Sequence, residues 1–275
     1  NAIYLVRAAA QRGVRFSKVI SYGNGCDIDE CELFECFTQD AKTEIVAAYI
    51  EGVKDGRRFH QVLKKLSTTK PVIVLKAGYT QAGAGAVASH TGALAGSNEV
   101  WDSLLQQAGA IRVYTLEELV DMMTTLLFLP PPKGRRVGIF GGGGGASVLA
   151  TDEWTTAGFV VSLLPRQIRE EINKEVRTFL KSDAGMILHN PLDLTPLASS
   201  EGLYKVIRRL STYEGVDLLV AQCIISPSGW PYPGSPFGIW PDFFAEAVIK
   251  TYNEVGKPMA VVLHHIVKAG ICKEP

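Results

Sequence analysis

The chain lacks an excess of either charge, because its 28 lysine and arginine residues are balanced by 28 aspartate and glutamate residues. A nucleic-acid-binding surface usually requires a basic excess, so the composition gives no electrostatic signature of that partner. The sequence also lacks an apolar run approaching the roughly 20 residues of a membrane-spanning helix. We expect no N-terminal signal peptide either. These absences predict a cytoplasmic protein with neither nucleic-acid nor membrane partners.

Cysteine is scarce, with five residues in a chain of 275. An odd number of cysteines cannot pair completely. The five-residue spacing of Cys26, Cys31 and Cys36 matches no zinc motif and suits no simple disulfide framework. We therefore expect reduced thiols and no metal site.

Short β-branched runs alternate with helical periods along the whole chain, which is typical of α/β folds with parallel sheets. The predicted strands cover 18–22, 45–50, 72–76 and 111–113 in the first half, and 137–140, 160–163, 218–222 and 260–263 in the second half. The predicted helices of the first half cover 2–11, 29–37, 57–67, 97–107 and 116–127. A three-proline run at 130–132 predicts two domains, 1–132 and 133–275, because proline ends a helix and stiffens a connection. Ligands are expected at the carboxyl ends of the strands.

One histidine lies in a segment of small residues between a predicted strand and a predicted helix. The segment 88–96 reads ASHTGALAG, with His90 as its single imidazole, and Ser97 is placed to cap the following helix. Small residues let backbone N–H groups approach an anion, and a helix N-terminus adds partial positive charge. The segment therefore indicates a loop in which His90 could accept a phosphoryl group. A structural histidine bonded to backbone is the alternative.

Five consecutive glycines, 141–145, follow the predicted strand 137–140 and precede a helical segment that includes Ala146. A strand, a glycine turn and a helix together can form a backbone cradle for an anion. A Rossmann dinucleotide site competes with this interpretation, but no acidic residue ends the next predicted strand, which leads into Pro165 and Arg166. A Walker A loop is excluded because no Gly-Lys-Ser/Thr sequence follows.

Several separated motifs together resemble the NDP-forming acyl-CoA synthetases, relatives of succinyl-CoA ligase that include ADP-forming acetate–CoA ligases. The motifs are FSKV at 16–19, GN at 23–24, DID at 27–29, YIEGVKDGRRF at 49–59, KPVIVLKAG at 70–78, SHTGALAG at 89–96, QAGAIRV at 107–113 and NPLDL at 190–194. The resemblance covers nearly the whole chain. It implies two tandem flavodoxin-like, succinyl-CoA ligase-like domains, each with a parallel sheet.

The resemblance also implies roles for individual residues. His90 matches the histidine that is phosphorylated during turnover, and Glu51 matches the glutamate that orients it. A carboxylate at the end of strand 45–50 could hydrogen-bond one imidazole nitrogen and stabilise the imidazolium. The expected phosphate-binding residues are Ser89, Thr91, Gly92, Ala93, Gly142, Gly143, Gly144, Gly145 and Ala146. Three residues are expected at the edge of the active site: Asn24, Asn190 and Asp193. For Asn190 and Asp193, a purely structural turn is an equal alternative.

A complete enzyme of this family also has a Rossmann CoA-binding domain and an ATP-grasp domain, for which this sequence shows no pattern. The start at Asn1 without methionine and the missing domains predict that the chain is a piece of a longer protein. We expect no cofactor bound within this piece, which alone should not make acyl-CoA. The complete oligomeric enzyme would use a small carboxylic acid, CoA, ATP or ADP, and magnesium. Two alternatives remain: a non-catalytic flavodoxin-like binding or regulatory module, and a dinucleotide-dependent oxidoreductase.

Overall fold

The chain consists of two compact units, residues 1–129 and 130–275. The computed structural model describes residues 2–91, 97–141, 143–180, 188–194, 197, 199–225 and 240–265. The division falls at the start of the three-proline run, three residues before the domain boundary predicted from the sequence. Within these described residues, each unit contains one parallel sheet. The predicted α/β class with two parallel sheets is thus confirmed.

The first unit has a three-stranded sheet in the order β1-β2-β3. Its elements are α1 (Ala2–Gln11), α2 (Glu30–Gln39), β1 (Val46–Ile50), α3 (Gly56–Ser67), β2 (Val72–Lys76), α4 (Gln81–Thr91), α5 (Asn98–Ala108), β3 (Ile111–Val113) and α6 (Leu116–Phe128). The central strand β2 is buried at every position, as the continuous apolar run predicts for a strand covered on both faces.

The two faces of this sheet carry separate clusters of buried side chains. Val72 and Val74 pack with residues of α2, α3 and α5 on one face. Ile73 and Leu75 pack with residues of α1 and α6 on the other face. Successive residues of a strand point to opposite faces, so the next residue on the first face is Lys76, at the carboxyl end of β2.

The second unit has a four-stranded sheet in the order β5-β4-β6-β7. Its elements are β4 (Val137–Gly141), α7 (Gly144–Thr156), α8 (Arg166–Arg177), β5 (Leu192–Asp193), α9 (Ser200–Thr212), β6 (Leu218–Ile225), α10 (Trp240–Val255) and β7 (Met259–His265). One large cluster packs residues of α8, α9 and α10 against Phe140 and Leu219. This cluster covers one face of the sheet.

Two predicted strands are wrong in the structure. Residues 18–22 form no strand; Val19 and Ile20 are about half exposed, and Lys18 is instead held by the Asp40 carboxylate at 2.5 Å. The apolar side chains of this segment are therefore not buried, as those of a sheet strand covered on both faces would be. The segment 160–163 keeps only a single bridge, from Arg136 to Val160. The ladder stops there because a side chain takes over its hydrogen bonds, as described below.

None of the helices described in the structure combines the length and the apolar character that crossing a membrane would require.

Candidate functional site

The first part of the segment predicted to be the histidine loop is helical in the structure. Helix α4 runs to Thr91, so residues 88–91 are helical and not part of a loop. The helix is started by Thr80, whose hydroxyl accepts a hydrogen bond from the N–H of Gly83 at 3.0 Å. Alanines at 82, 84, 86 and 88 then favour the helix strongly enough to carry it through two glycines. This alanine content is what the loop prediction overlooked.

The backbone of His90 therefore lies in the last turn of α4. Inside a helix, backbone N–H groups bond to carbonyls four residues earlier, and the Ser89 hydroxyl donates to the Gly85 carbonyl at 2.9 Å. The side chains of His90 and Thr91, and all of Gly92 and Ala93, lie outside the described residues. Their phosphohistidine and phosphate-binding roles stay predictions.

The next helix begins as predicted. Ser97 caps α5, its hydroxyl accepting a hydrogen bond from the N–H of Val100 at 3.3 Å, and Gly109 ends it in the left-handed conformation. The side-chain amide of Asn98 donates to the Tyr79 carbonyl. This bond ties the start of α5 to the segment that follows β2.

Glu51 follows the last residue of β1, at the carboxyl edge of the sheet. The Tyr49 hydroxyl donates to Glu51 Oε1 at 3.3 Å. Ile50 pairs with Lys76, and the N–H of Ala77 donates to the Ile50 carbonyl at 2.9 Å. The ends of β1 and β2 are therefore held together. The predicted contact between Glu51 and the imidazole of His90 stays a prediction.

Lys76 is a functional candidate that the sequence patterns did not single out. Its side chain is among the most deeply buried of the chain, at 2% exposure. Its ammonium lies 5.2 Å from the centre of the Trp101 ring and donates to the Ala77 carbonyl. Burial lowers the pKa of Lys76, the nearby Arg112 lowers it further, and Glu51 partly opposes both. A lysine ending an otherwise apolar strand is the signal that could have identified it.

Arg112 places a second buried cation on the same face of this sheet. Its guanidinium binds the Asp102 carboxylate and donates to the side chain of Asn98 at 3.1 Å, while Tyr114 covers it at 4.8 Å. The Asp102 carboxylate compensates the charge of Arg112, so Lys76 is the buried cation of this edge without a carboxylate bonded to it among the described residues.

The glycine run of the second unit joins β4 to α7 as the sequence predicted. Gly143 precedes the helix with φ +77° and supplies no side-chain cap, and Gly144, Gly145 and Ala146 form the first turn. These first-turn N–H groups have no partner within the helix. Gly142 lies outside the described residues. The geometry suits an anion, and the phosphate-binding roles of these residues stay predictions.

Asn190 has a structural role, which was the alternative to its expected place at the edge of the active site. Its side chain is buried at 6% exposure. Its Oδ1 accepts from the Ile139 N–H at 2.9 Å, and its Nδ2 donates to the carbonyls of Val137 at 2.7 Å and Ser162 at 3.0 Å. One amide thus replaces the ladder that the predicted strand 160–163 would have formed along β4.

The other residues expected at the edge of the site are spread over both units. Asp193 pairs with Gly141, beside the glycine run. Asn24 is exposed in a turn in which Gly25 N–H donates to the Tyr22 carbonyl at 3.3 Å. Their roles in the active site stay predictions.

One cluster of metal-ligand side chains occurs among the described residues, formed by Asp29, Glu30 and Cys31 at the start of α2. Capping accounts for much of it: Asp29 accepts a hydrogen bond from the Cys31 N–H at 2.7 Å, and the Asp29 N–H donates to Glu32 at 3.0 Å. Burial raises the pKa of the Cys31 thiol to about 12, which disfavours the thiolate that binds metals.

The fold and the carboxyl edges of its two sheets define a parallel α/β protein of two units. Comparison with known proteins identifies its family. Residues 1–126 match the family model of the succinyl-CoA ligase like flavodoxin domain. The alpha subunit of ADP-forming acetate–CoA ligase II from Pyrococcus furiosus is 36% identical over 257 residues, covering 93% of this chain and 53% of the relative. A 4-hydroxybutyrate–CoA ligase (ADP-forming) from Nitrosopumilus maritimus is 34% identical over 227 residues, covering 82% and 31%.

A solved structure supports the same relationship. The acetyl-coenzyme A synthetase 1 of Ca. Korarchaeum cryptofilum, solved in complex with phosphate and ADP, superposes with a TM-score of 0.77 at 28% identity. The match covers 96% of this chain and 54% of that chain. The chain belongs to the NDP-forming acyl-CoA synthetase family, as its motifs predicted. It spans about half the length of the alpha subunits that it matches.

Proposed function

We propose that the chain is the part of an NDP-forming acyl-CoA synthetase that carries the phosphoryl group between substrates. The complete enzyme would interconvert acyl-CoA, ADP and phosphate with a carboxylic acid, CoA and ATP. The observation that supports this most directly is the set of charged groups where β1 and β2 end, in a chain related to such ligases over 93% of its length. Glu51 and Lys76 lie at the carboxyl edge of the sheet, where parallel α/β folds bind ligands.

The proposed chemistry passes through a covalent intermediate on His90. Phosphate attacks the thioester carbonyl, giving an acyl phosphate as the carbon–sulfur bond breaks and CoA leaves with a proton. An imidazole nitrogen of His90 then attacks phosphorus, and the carboxylate leaves as the phosphorus–oxygen bond breaks. The phosphoryl group finally moves to an oxygen of ADP, which restores the imidazole. Glu51 would hold the other imidazole nitrogen and stabilise its positive charge.

The rest of the enzyme would supply what this chain does not contain. A CoA-binding domain would hold the thioester, and an ATP-grasp domain, fused or in another subunit, would hold the nucleotide with magnesium. The complete enzyme would be an oligomer of these parts in the cytoplasm. The glycine run 141–145 would give the second anion-binding helix start, from a second succinyl-CoA ligase-like domain.

Phosphoryl labelling of the complete protein tests this proposal. The protein would be incubated with radiolabelled ATP and magnesium, then treated separately with acid and with base. A label that is lost in acid and kept in base identifies phosphohistidine. The variant His90→Asn, which keeps a polar side chain but no nucleophilic imidazole, should fold, take up no label and form no acyl-CoA.

Other outcomes would point elsewhere. Full activity of His90→Asn would remove this residue from the mechanism and favour the non-catalytic module. A partial defect would assign His90 to substrate positioning, because a covalent relay cannot proceed without its nucleophile.

A further inference from the structure

Gln222 is a buried polar residue of the second unit to which neither the motifs nor the proposed chemistry assigns a role. It lies in β6 and pairs with Gly141, the residue that ends β4 and opens the glycine run. Its side chain is 3% exposed. In the part of the chain that the structure describes, its Oε1 has no hydrogen-bond partner.

This unpaired amide oxygen is costly, because a buried polar atom without a partner forfeits its hydrogen bonds to water. Three other buried polar residues of the unit are satisfied. Asn190 bonds three backbone groups, Ser211 donates to a carbonyl of its own helix at 2.7 Å, and Thr251 does the same at 2.8 Å. Gln222 differs from these three residues, and a hydrogen-bonding ligand would complete its amide.

The direction of the Gln222 side chain follows from the alternation of β6. Leu219, Ala221 and Cys223 belong to the cluster packed against α8, α9 and α10. Gln222 therefore points to the opposite face. Helix α7 contributes no residue to that cluster, yet its Ser147 and Ala150 are buried, so α7 covers the face to which Gln222 points.

The start of α7 needs an acceptor. Its capping residue Gly143 makes no side-chain bond to the first turn, and that turn holds no acidic residue. A side chain added at Gly145 would meet nothing within 4 Å, so the side of the first turn at this residue is uncovered by described residues. The first-turn N–H groups and the helix dipole favour a bound anion.

We propose that Gln222 binds a phosphoryl group held at the start of α7, donating a hydrogen bond from its side-chain amide. A half-turn of the amide exchanges its oxygen and nitrogen without changing its shape. The NH₂ can thus occupy the position of the unpaired oxygen and donate to the anion. This inference rests on the proposed function and adds a ligand-binding side chain from β6, outside the glycine run.

The decisive variant is Gln222→Met in the complete enzyme, assayed for ATP formation from acetyl-CoA, ADP and phosphate. Methionine fills a similar volume without a polar atom, so the melting temperature should stay the same or rise. The KM for phosphate should rise about tenfold, in line with the loss of one hydrogen bond to a charged group. The KM for acetyl-CoA should not change. A merely structural role would give the reverse: lower stability with an unchanged KM for phosphate.

The matched control is Thr251→Val, which removes a buried hydroxyl that is already bonded within α10. It should leave the KM for phosphate unchanged. If Gln222→Met fails to fold, Gln222→Glu keeps the shape and places a negative charge against the phosphoryl group. That variant should lose phosphate saturation altogether.

The outcomes separate this inference from the proposed function. An active wild type combined with an unchanged phosphate KM in Gln222→Met would overturn the role of Gln222 alone. A rise confined to the KM for acetyl-CoA would also overturn it, because the phosphates of CoA would then be the ligand. A wild type that forms no ATP from acetyl-CoA and takes up no label from radiolabelled ATP would refute the proposed function. In that case, a phosphate-dependent rise of the melting temperature that Gln222→Met abolishes would still support the site.

Discussion

Gly141 and Gln222 approach so closely that a Cβ on Gly141 would lie 2.1 Å from the carbonyl oxygen of Gln222. Gly141 also adopts φ +109°, a conformation that residues with a side chain rarely adopt. Two independent constraints therefore require glycine here. The run 141–145 is not uniform, since Gly145 has an ordinary φ and open space around the position of its Cβ.

Replacing Gly141 with alanine should disrupt the end of β4. The new methyl group would collide with backbone that cannot move aside, because Gln222 is paired in the sheet. We expect a loss of about 3 kcal/mol or more in the free energy of unfolding of the second unit. Urea denaturation followed by circular dichroism measures this. The control Gly145→Ala should be as stable as wild type, and equal stability of both variants would contradict the prediction.

Asn190 gives a second test of stability. The variant Asn190→Ala leaves the buried Ile139 N–H and the carbonyls of Val137 and Ser162 without their partner. The free energy of unfolding should fall by about 3 kcal/mol, since each abandoned buried group carries its own desolvation cost. The exposed Asn253 provides the control Asn253→Ala, which should change stability by less than about 0.5 kcal/mol. An Asn190→Ala variant as stable as this control would show that water replaces the amide.

These cases show which features the sequence could predict. The buried strand β2 and the Ser97 cap of α5 were predictable because local pattern and tertiary burial agree there. The ladder at 160–163 was not predictable, because Asn190 reaches it from 28 residues away and replaces its hydrogen bonds. The helical placement of His90 depends on the alanines before it, whose propensity outweighed the small-residue pattern. Lys76 was missed because burial of a charge depends on tertiary packing.

Asp217 predicts a pH dependence in the second unit. Its carboxylate accepts hydrogen bonds from the Arg136 backbone N–H at 2.9 Å and from Nη2 at 2.7 Å. Hydrogen bonding to Arg136 lowers the pKa of Asp217 from 3.8 to about 2. A lowered pKa stabilises the fold above pH 3.8, and this contribution disappears as pH falls toward 2.

The variant Asp217→Asn isolates this contribution. The difference in melting temperature between wild type and variant should be constant near neutral pH, at about 4 °C. It should shrink as pH falls through the interval between 3.8 and about 2. A thermal-unfolding series from neutral to acidic pH measures it. A difference that stays constant to the lowest pH would show that the carboxylate charge contributes nothing.

Glu51→Gln in the complete enzyme tests whether the carboxylate acts in phosphoryl transfer. Glutamine keeps the shape and the acceptor for the Tyr49 hydroxyl, so the first unit should fold normally. It removes the negative charge that would stabilise an imidazolium and that raises the pKa of Lys76 against the effect of burial. Labelling by radiolabelled ATP should slow by about 100-fold, measured by rapid quench at saturating ATP. The exposed Glu44 gives the control Glu44→Gln, which should label at the wild-type rate. Equal labelling rates in both variants would remove Glu51 from the mechanism. Lys76 would then be the remaining charged residue at the ends of β1 and β2 to be tested.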